Sequence, residues 1–298
     1  MERRTIQSSV DEEMLLVYVH EIRRRQPRIG TRKLYAMLEE TMKLNHIKVG
    51  RDKLFELLRR HDLLVKPRRK RVKTTDSNHV FRNYPNLIGE YVPSGPEQIW
   101  VSDLTYLSTG QGFVYLSLVT DQYSKMIMGY HVSARLEVNG PLQALSMALN
   151  NRVYPESKLI HHSDRGIQYC CGAYISTLKA HGVVISMSGK GNPYENAVAE
   201  RVNGILKTEF YLDRFFRDRD QATGVVEEVI AVYNTERPHT SCDYLTPQQA
   251  HECRGMLKRR WKEYKLNKPK KEPEPIGEEV KKVLEQLFKK EVVHVDKV

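Results

Sequence analysis

Cysteine is scarce in this 298-residue chain, which has four: Cys170, Cys171, Cys242 and Cys253, with none before position 170. They form neither a disulfide framework nor a zinc spacing, so the chain needs no oxidising compartment and holds no N-terminal zinc knuckle. His251-x-Cys253 has no partners at zinc spacing and reads as structural. No apolar run approaches the ~18 residues a membrane helix needs, and the N-terminus carries no apolar signal segment, so the chain is expected to stay in the cytoplasm. Acids are in deficit: 37 Asp and Glu face 48 Lys and Arg, a net charge of +11. That balance favours a polyanionic partner, nucleic acid before a membrane surface.

What is present suits two or three domains with real cores, at 40% hydrophobic and 29% charged residues. Three amphipathic segments open the chain. Asp11 to Arg25 carries Met14, Leu15, Val17, Tyr18 and Ile22, a second helix starts at Gly30-Thr31, and a third runs from Arg51 to His61 with Leu54, Leu57 and Leu58 on one face. Short helices with brief turns are compatible with a helix-turn-helix module over residues 1–75. From Arg51 to Lys73 ten basic residues face three acids. Lys66, Arg68, Arg69, Lys70, Arg71 and Lys73 form the densest part. Taken alone it could be a solvated linker, but directly after a recognition helix it suits phosphate contact, with Arg59 on the helix placed for base reading.

A polar linker over 76–95 leads to a change of period. Gln98 to Ser108, Phe113 to Thr120 and Met126 to Ser133 read as an antiparallel meander. A helix near Val138 to Asn151, a strand Lys158 to Ser163, a helix Ala173 to His181, a strand Val183 to Met187 and a last long helix follow. The order βββαβαβα gives an α/β mixed sheet of RNase H-like type over 96–252, behind the all-α N-terminal module. The last helix is the focus of the chain. Gly189 and Gly191 open it as a permissive loop, Asn192 suits an N-cap, Pro193 the first helical position and Glu195 a capping box. Ala197, Val198, Val202, Ile205 and Leu206 give an apolar stripe. Glu200 is expected about two turns in, with Lys207 on the same face to grip a phosphate.

Asp103 falls mid-to-late in the first strand and Asp164 ends the fourth, and an RNase H-like sheet makes these strands neighbours. With Glu200 arriving from the helix, three carboxylates would meet and repel unless a cation intervened. Hard divalent ions, Mg²⁺ or Mn²⁺, are the natural occupants, and two of them could serve an in-line phosphoryl displacement. Spacing alone leaves this open: among 37 acids many triples can be chosen, and Asp164 before Arg165-Gly166 also suits a turn.

The flanking residues narrow the choice. Trp100-x-x-Asp103-x-Thr105-Tyr106, His162-Ser163-Asp164-Arg165-Gly166-x-Gln168-Tyr169 and Gly191-Asn-Pro-Tyr-Glu-Asn-Ala leading to Glu200 resemble, in order, the signature segments of IS3-type insertion-sequence transposases. Asp164 and Glu200 have 35 residues between them, the spacing of the D,D-35-E transposase and retroviral integrase group. Tyr233-Asn234-x-x-Arg237-Pro238-His239 and Tyr244-Leu245-Thr246-Pro247 resemble the closing segment of that family, and the resemblance covers roughly residues 25–252. It implies a DNA-cleaving and strand-transferring enzyme with Asp103, Asp164 and Glu200 as metal-ligating catalytic residues. It also implies DNA contact at Gln168 and Tyr169, action as a homo-oligomer on DNA in the bacterial nucleoid, and an upstream-frame (OrfA) product as fusion or partner. Arg201-Val202 in place of Ser-Phe, and Ser241-Cys242-Asp243 in place of Ser-Leu-Gly, depart from the pattern without touching a ligand position.

Two alternatives stand beside this reading, a non-catalytic DNA-binding derivative and an RNase H-like nuclease. The second leaves the N-terminal module and the closing segment unexplained. Asp121 could be a further ligand but reads first as a turn acid. His161 or His162 could support Asp164, although a strand histidine is more often packed or exposed, and Trp100 and Tyr106 read as core. A helix from Pro247 to Tyr264 is expected to run into the 253–298 extension and end in a basic stretch. A Lys/Pro/Glu spacer and an amphipathic helix over Glu278 to Val292 follow.

Overall fold

The computed structural model describes residues 2–66, 84–89, 91–189 and 196–258. Its N-terminal module consists of α1 (Glu2–Arg25), α2 (Thr31–Leu44) and α3 (Arg51–Arg60). Helix α1 begins nine residues before the expected Asp11. The module has its own core, in which Leu15 and Val19 meet Leu34, Leu38, Leu54, Leu57 and Leu58. Helices α2 and α3 end alike. His46 and Asp62 take positive φ, and the next residues, Ile47 and Leu63, donate their N–H groups back to Met42 O and Leu58 O, both at 2.8 Å. Each closure is a Schellman motif that turns an apolar residue back onto its helix.

The second unit is a six-stranded sheet: β1 (Ile99–Thr109), β2 (Gly112–Asp121), β3 (Ile127–Ser133), β4 (Ile160–Ser163), β5 (Val184–Met187) and the short β6 (Phe215–Phe216). The strands lie in the order β3-β2-β1-β4-β5, with β6 paired to β1. The meander is antiparallel, whereas β1, β4 and β5 run parallel. Helices α4 (Asn139–Asn150), α5 (Ile167–Cys170) and α6 (Gly172–Ala180) cover one face, and α7 (Ala197–Glu209) and α8 (Arg219–Thr235) the other. Period-two alternation divides the strands between two cores, since Leu116 and Leu118 face α7 and α8 while Val119 faces α4. Each fully buried leucine there contributes about 1.5–3 kcal/mol. Helix α4 lies so close to β3 that a Cβ on Gly129 would come within 2.1 Å of Ala144 O, so this position admits only glycine.

This is the expected α/β mixed sheet of RNase H-like order, with three additions, α5, β6 and α8. The C-terminal helix is a correction: α9 (Pro247–His251) stops at His251, where the chain leaves helical geometry and reaches Gly255 at φ +88°. Its N-terminus is well made, Thr246 and Gln249 forming a capping box with Pro247 behind the cap. The end of α9 is fixed by burial. His251 lies against Ser124 Oγ (2.9 Å) and Glu97 Oε1 (3.4 Å), and Glu97 also accepts the N–H groups of Val153 and Tyr154 and the Arg152 guanidinium. Residues 259–264, the Lys/Pro spacer and the expected helix over 278–292 lie outside the described residues.

The two units meet at Glu209, the last residue of α7. Its carboxylate accepts Lys33 Nζ of α2 (2.7 and 2.9 Å) and, side by side, Arg237 Nε (2.9 Å) and Nη2 (3.1 Å) from the closing segment. Arg237 is 1% exposed. Two cations thus share one carboxylate. Glu209 is held below the ordinary carboxylate range by them, against its burial, while burial and the Arg237 charge push the surplus cation, Lys33, down to about 8.

Candidate active site

Strand register sets the first two acids. β1 and β4 pair in parallel as far as Ser102 opposite Ser163, so the next residues, Asp103 and Asp164, emerge side by side where that ladder ends. Asp164 Oδ1 accepts the Gly166 N–H at 2.9 Å, closing a tight turn, and a Cβ on Gly166 would lie 2.9 Å from that oxygen and 3.2 Å from Gln168 Oε1. The turn role and the site position of Asp164 therefore coincide. Gln168 stands beside it, partly exposed.

Helix α7 is laid across β1 by two asparagines. Asn196 Nδ2 donates to Ser102 O (3.0 Å), and Asn203 Nδ2 donates to Asp103 Oδ2 (2.9 Å). Seven residues separate them, two helical turns, so both lie on one face with Glu200 between them and Lys207 one turn beyond. Glu200 is exposed and its N–H donates to Asn196 O. The described helix begins at Ala197, so Glu200 lies in its first turn rather than two turns in, where the helix dipole favours a carboxylate. Asn192, Pro193 and Glu195, the expected cap, lie outside the described residues. The buried side of α7 is Ala199, Val202, Asn203, Ile205 and Leu206, with Ala197 exposed.

Electrostatics tie the three acids together. The Asp103 carboxyl is pushed up to about 7, first by burial, then by the negative charge of Asp164, with Glu200 adding to it; the Asn203 and Leu104 N–H groups pull the other way. Among the described residues no three His, Cys, Asp or Glu side chains are gathered closely enough to hold a metal ion as they stand. Oxygen-only donors, mutual repulsion and a proton retained to near neutrality nevertheless fit a hard divalent cation at Asp103, Asp164 and Glu200.

The other expected site residues separate. Lys207 Nζ lies 4.4 Å from the centre of the Tyr106 ring, on the Glu200 side of α7. Tyr106 is a correction, for it is 44% exposed and packs edge-on against Phe113, because β4 covers β1 only to Ser102. Tyr169 is another. At 3% exposure it turns inward from α5 and packs edge-on against Tyr174, so it presents no surface for DNA. His161 and His162 are buried, packed rather than exposed, and pushed down by that burial to about 3 and about 4. The Asp121 carboxylate is committed to its turn, accepting Glu97 N–H, Ser124 N–H and Ser124 Oγ–H. Arg59 pairs with Glu56 on the exposed side of α3. Lys66 is exposed and its carbonyl accepts Arg28 Nη2 at 2.7 Å. Arg68, Arg69, Lys70, Arg71 and Lys73 lie outside the described residues. Asn196 and Asn203 are site residues that sequence reasoning misses. The available signal is a polar residue at 203 interrupting an apolar stripe three positions after Glu200.

Comparison with known proteins agrees with this architecture. Residues 93–193 match the Integrase core domain family, and a second family of the same description matches residues 181–247. The chain is 40% identical over 240 residues to the insertion element IS600 uncharacterized 31 kDa protein of Shigella sonnei, covering 80% of this chain and 86% of that one. It is 32% identical to the transposase for insertion sequence element IS904 of Lactococcus lactis, covering 83% and 97%. With transposase InsF for insertion sequence IS3A of Escherichia coli it shares 37% identity over 194 residues, covering 64% and 67%. Identity of this degree over most of the chain, together with the two integrase-core matches, means that the chain belongs to the IS3-type insertion-sequence transposases.

Proposed function

We propose that this transposase cuts and joins DNA at Asp103, Asp164 and Glu200, with Mg²⁺ or Mn²⁺, two ions in all, held by those carboxylates. The observation that carries this reading is the end of the β1–β4 ladder, which brings Asp103 beside Asp164 under a helix pinned to Asp103 through Asn203. When bound, the ions would supply the positive charge that an in-line phosphoryl displacement needs at its attacking and leaving oxygens. The chain's own part is to hold the carboxylates rigid, with Asn203 and the Leu104 N–H fixing Asp103 and the α7 backbone fixing Glu200, while Lys207 grips a phosphate beside them. Helix α3 with Arg59, Lys66 and the basic residues Arg68 to Arg71 and Lys73 holds the element end, and Gln168 lies near enough to Asp164 to touch the same strand. We also assign to the protein action as a homo-oligomer on DNA, in the cytoplasm, with the upstream-frame product as fusion or partner. No helix among the described residues is long and apolar enough to cross a membrane. The direct test incubates the purified chain with labelled element-end DNA and Mg²⁺ and scores nicked and joined strands. Products formed equally well in EDTA would overturn the metal mechanism. Binding without any product would favour a non-catalytic derivative.

Two further results are expected. Mg²⁺ should raise the thermal midpoint of the wild type but not that of Asp103→Asn, and Ca²⁺, with longer bonds and looser coordination, should support DNA complexes without products. An equal shift in both proteins would remove Asp103 from the ligand set. Asn203→Ala should lower joining by about 10–100-fold, as loss of a group that orients a ligand does, and shift the Mg²⁺ requirement upward at unchanged DNA affinity. A lower rate with the same Mg²⁺ dependence would mean that Asn203 serves only the packing of α7.

A further inference from the structure

On the far side of α7 from the carboxylates lies a groove of about 740 Å³, bounded by α2, the β2–β3 turn, α7 and the closing segment. At about 100° per residue, the α7 residues that line it apart from Ala197, namely Val198, Arg201, Val202 and Ile205, point roughly opposite to Asn196, Glu200, Asn203 and Lys207. Four cations reach it: Lys33, Lys125, Arg201 and Arg237. Glu209 offsets only one of these charges, since Lys33 and Arg237 share it. Arg201 is exposed, and Lys125, at φ +67° in the turn after β2, also donates to Gln122 O. The excess is felt inside the wall. His239, 6% exposed, is held well below its ordinary value by burial and then by all four of these charges. Tyr91 and Tyr123 add aromatic surface to the lining.

We infer that this groove binds the phosphodiester backbone of a second DNA segment, separated by the thickness of α7 from the strand at the carboxylates. A concave surface with surplus positive charge and aromatic walls is the form that tracks a nucleic-acid backbone without reading its sequence. The groove reaches α2 through Lys33, so DNA lying in it touches both the helical module and the integrase core. The inference rests on the chain acting on DNA, and the experiment separates the two.

The test is a salt titration of binding to a fluorescent random-sequence duplex in EDTA, comparing the wild type with Arg201→Gln/Lys125→Gln. Both side chains lie at the surface of the groove and outside the carboxylate site. The double variant should bind more weakly, with the slope of log affinity against log salt reduced by roughly 1.8, or 0.9 for each phosphate no longer neutralised. Adding Lys207→Ala should reduce it by roughly a further 0.9, because that residue meets a different phosphate. Arg201→Lys/Lys125→Arg, which keeps both charges, should retain the wild-type slope. An unchanged slope in the double variant while Lys207→Ala lowers it would overturn the groove and leave the function intact. A wild type that binds no DNA would overturn both.

Discussion

Asp103→Asn, Asp164→Asn and Glu200→Gln are each expected to lower end cleavage and joining by about 10³-fold or more, while element-end binding persists. Ligands of one site act as a unit, so each single change should approach the triple variant rather than a third of its effect. Single-turnover joining assays on matched, fully folded proteins measure this, and one variant retaining near wild-type rates would exclude its residue. Asp103→Asn carries a second signature, in metal-free protein. Its carboxyl is raised to about 7, by burial and by Asp164, so the folded chain keeps a proton there that the unfolded chain sheds near pH 4. The wild type therefore loses stability as pH rises between those values and carries the full penalty above them, on the order of 4 kcal/mol at most. Asparagine removes that penalty, and in EDTA at pH 8 the inactive variant should melt higher than the active protein. A lower melting temperature would mean that Asp103 is not crowded by its neighbours.

Glu209→Gln is expected to cost about 3–5 kcal/mol, the usual result of leaving buried charges uncompensated. Lys33 and Arg237 both donate to that carboxylate, and the substitution sets two cations against each other in a site where Arg237 is 1% exposed. Lys33→Met should be nearly neutral, because Arg237 still pairs with Glu209, and combined with Glu209→Gln it should recover part of the loss. The pH dependence has a definite sign. A lysine depressed to about 8 in the folded state and ordinary when unfolded makes the folded chain release its proton first. Its contribution to stability therefore rises with pH from about 8 to about 10.5, and Lys33→Met should abolish that rise. Denaturant unfolding across this window measures both effects. A Glu209→Gln protein as stable as the wild type would show that the cations find water instead.

How much of this is legible in the sequence differs from residue to residue. The strands can be read from alternation and turn residues, but the adjacency of Asp103 and Asp164 follows only from the RNase H-like order, in which β4 pairs with β1 in parallel. Helix α8 leaves a fainter trace. Ala222, Val226 and Ile230 recur every four residues, but the sequence pattern of an RNase H-like core is already complete at α7 and asks for nothing after it. The direction of Tyr169 is not legible: the motif places it five residues after Asp164, but only the packing of α5 against Tyr174 decides that it points inward. The contact between Lys33 and Glu209 spans 176 residues and leaves no local trace. Spacing finds Glu200 but misplaces it along the helix, because Asn192 and Pro193 have the chemistry of a good cap whereas the described helix begins at Ala197.

The end of the β1–β4 ladder also sets where this chain can change length. Side chains alternate faces along a strand, so one residue inserted or deleted between Ile99 and Asp103, or between Ile160 and Asp164, would turn a carboxylate to the opposite face of the sheet. The same change between Asn151 and Leu159, in the connection that leads into β4, leaves both registers untouched. Geometry therefore tolerates a change of length in that connection but not in the two strand segments beside the acids. The two short strand segments that carry the acids can exchange residues but cannot gain or lose one.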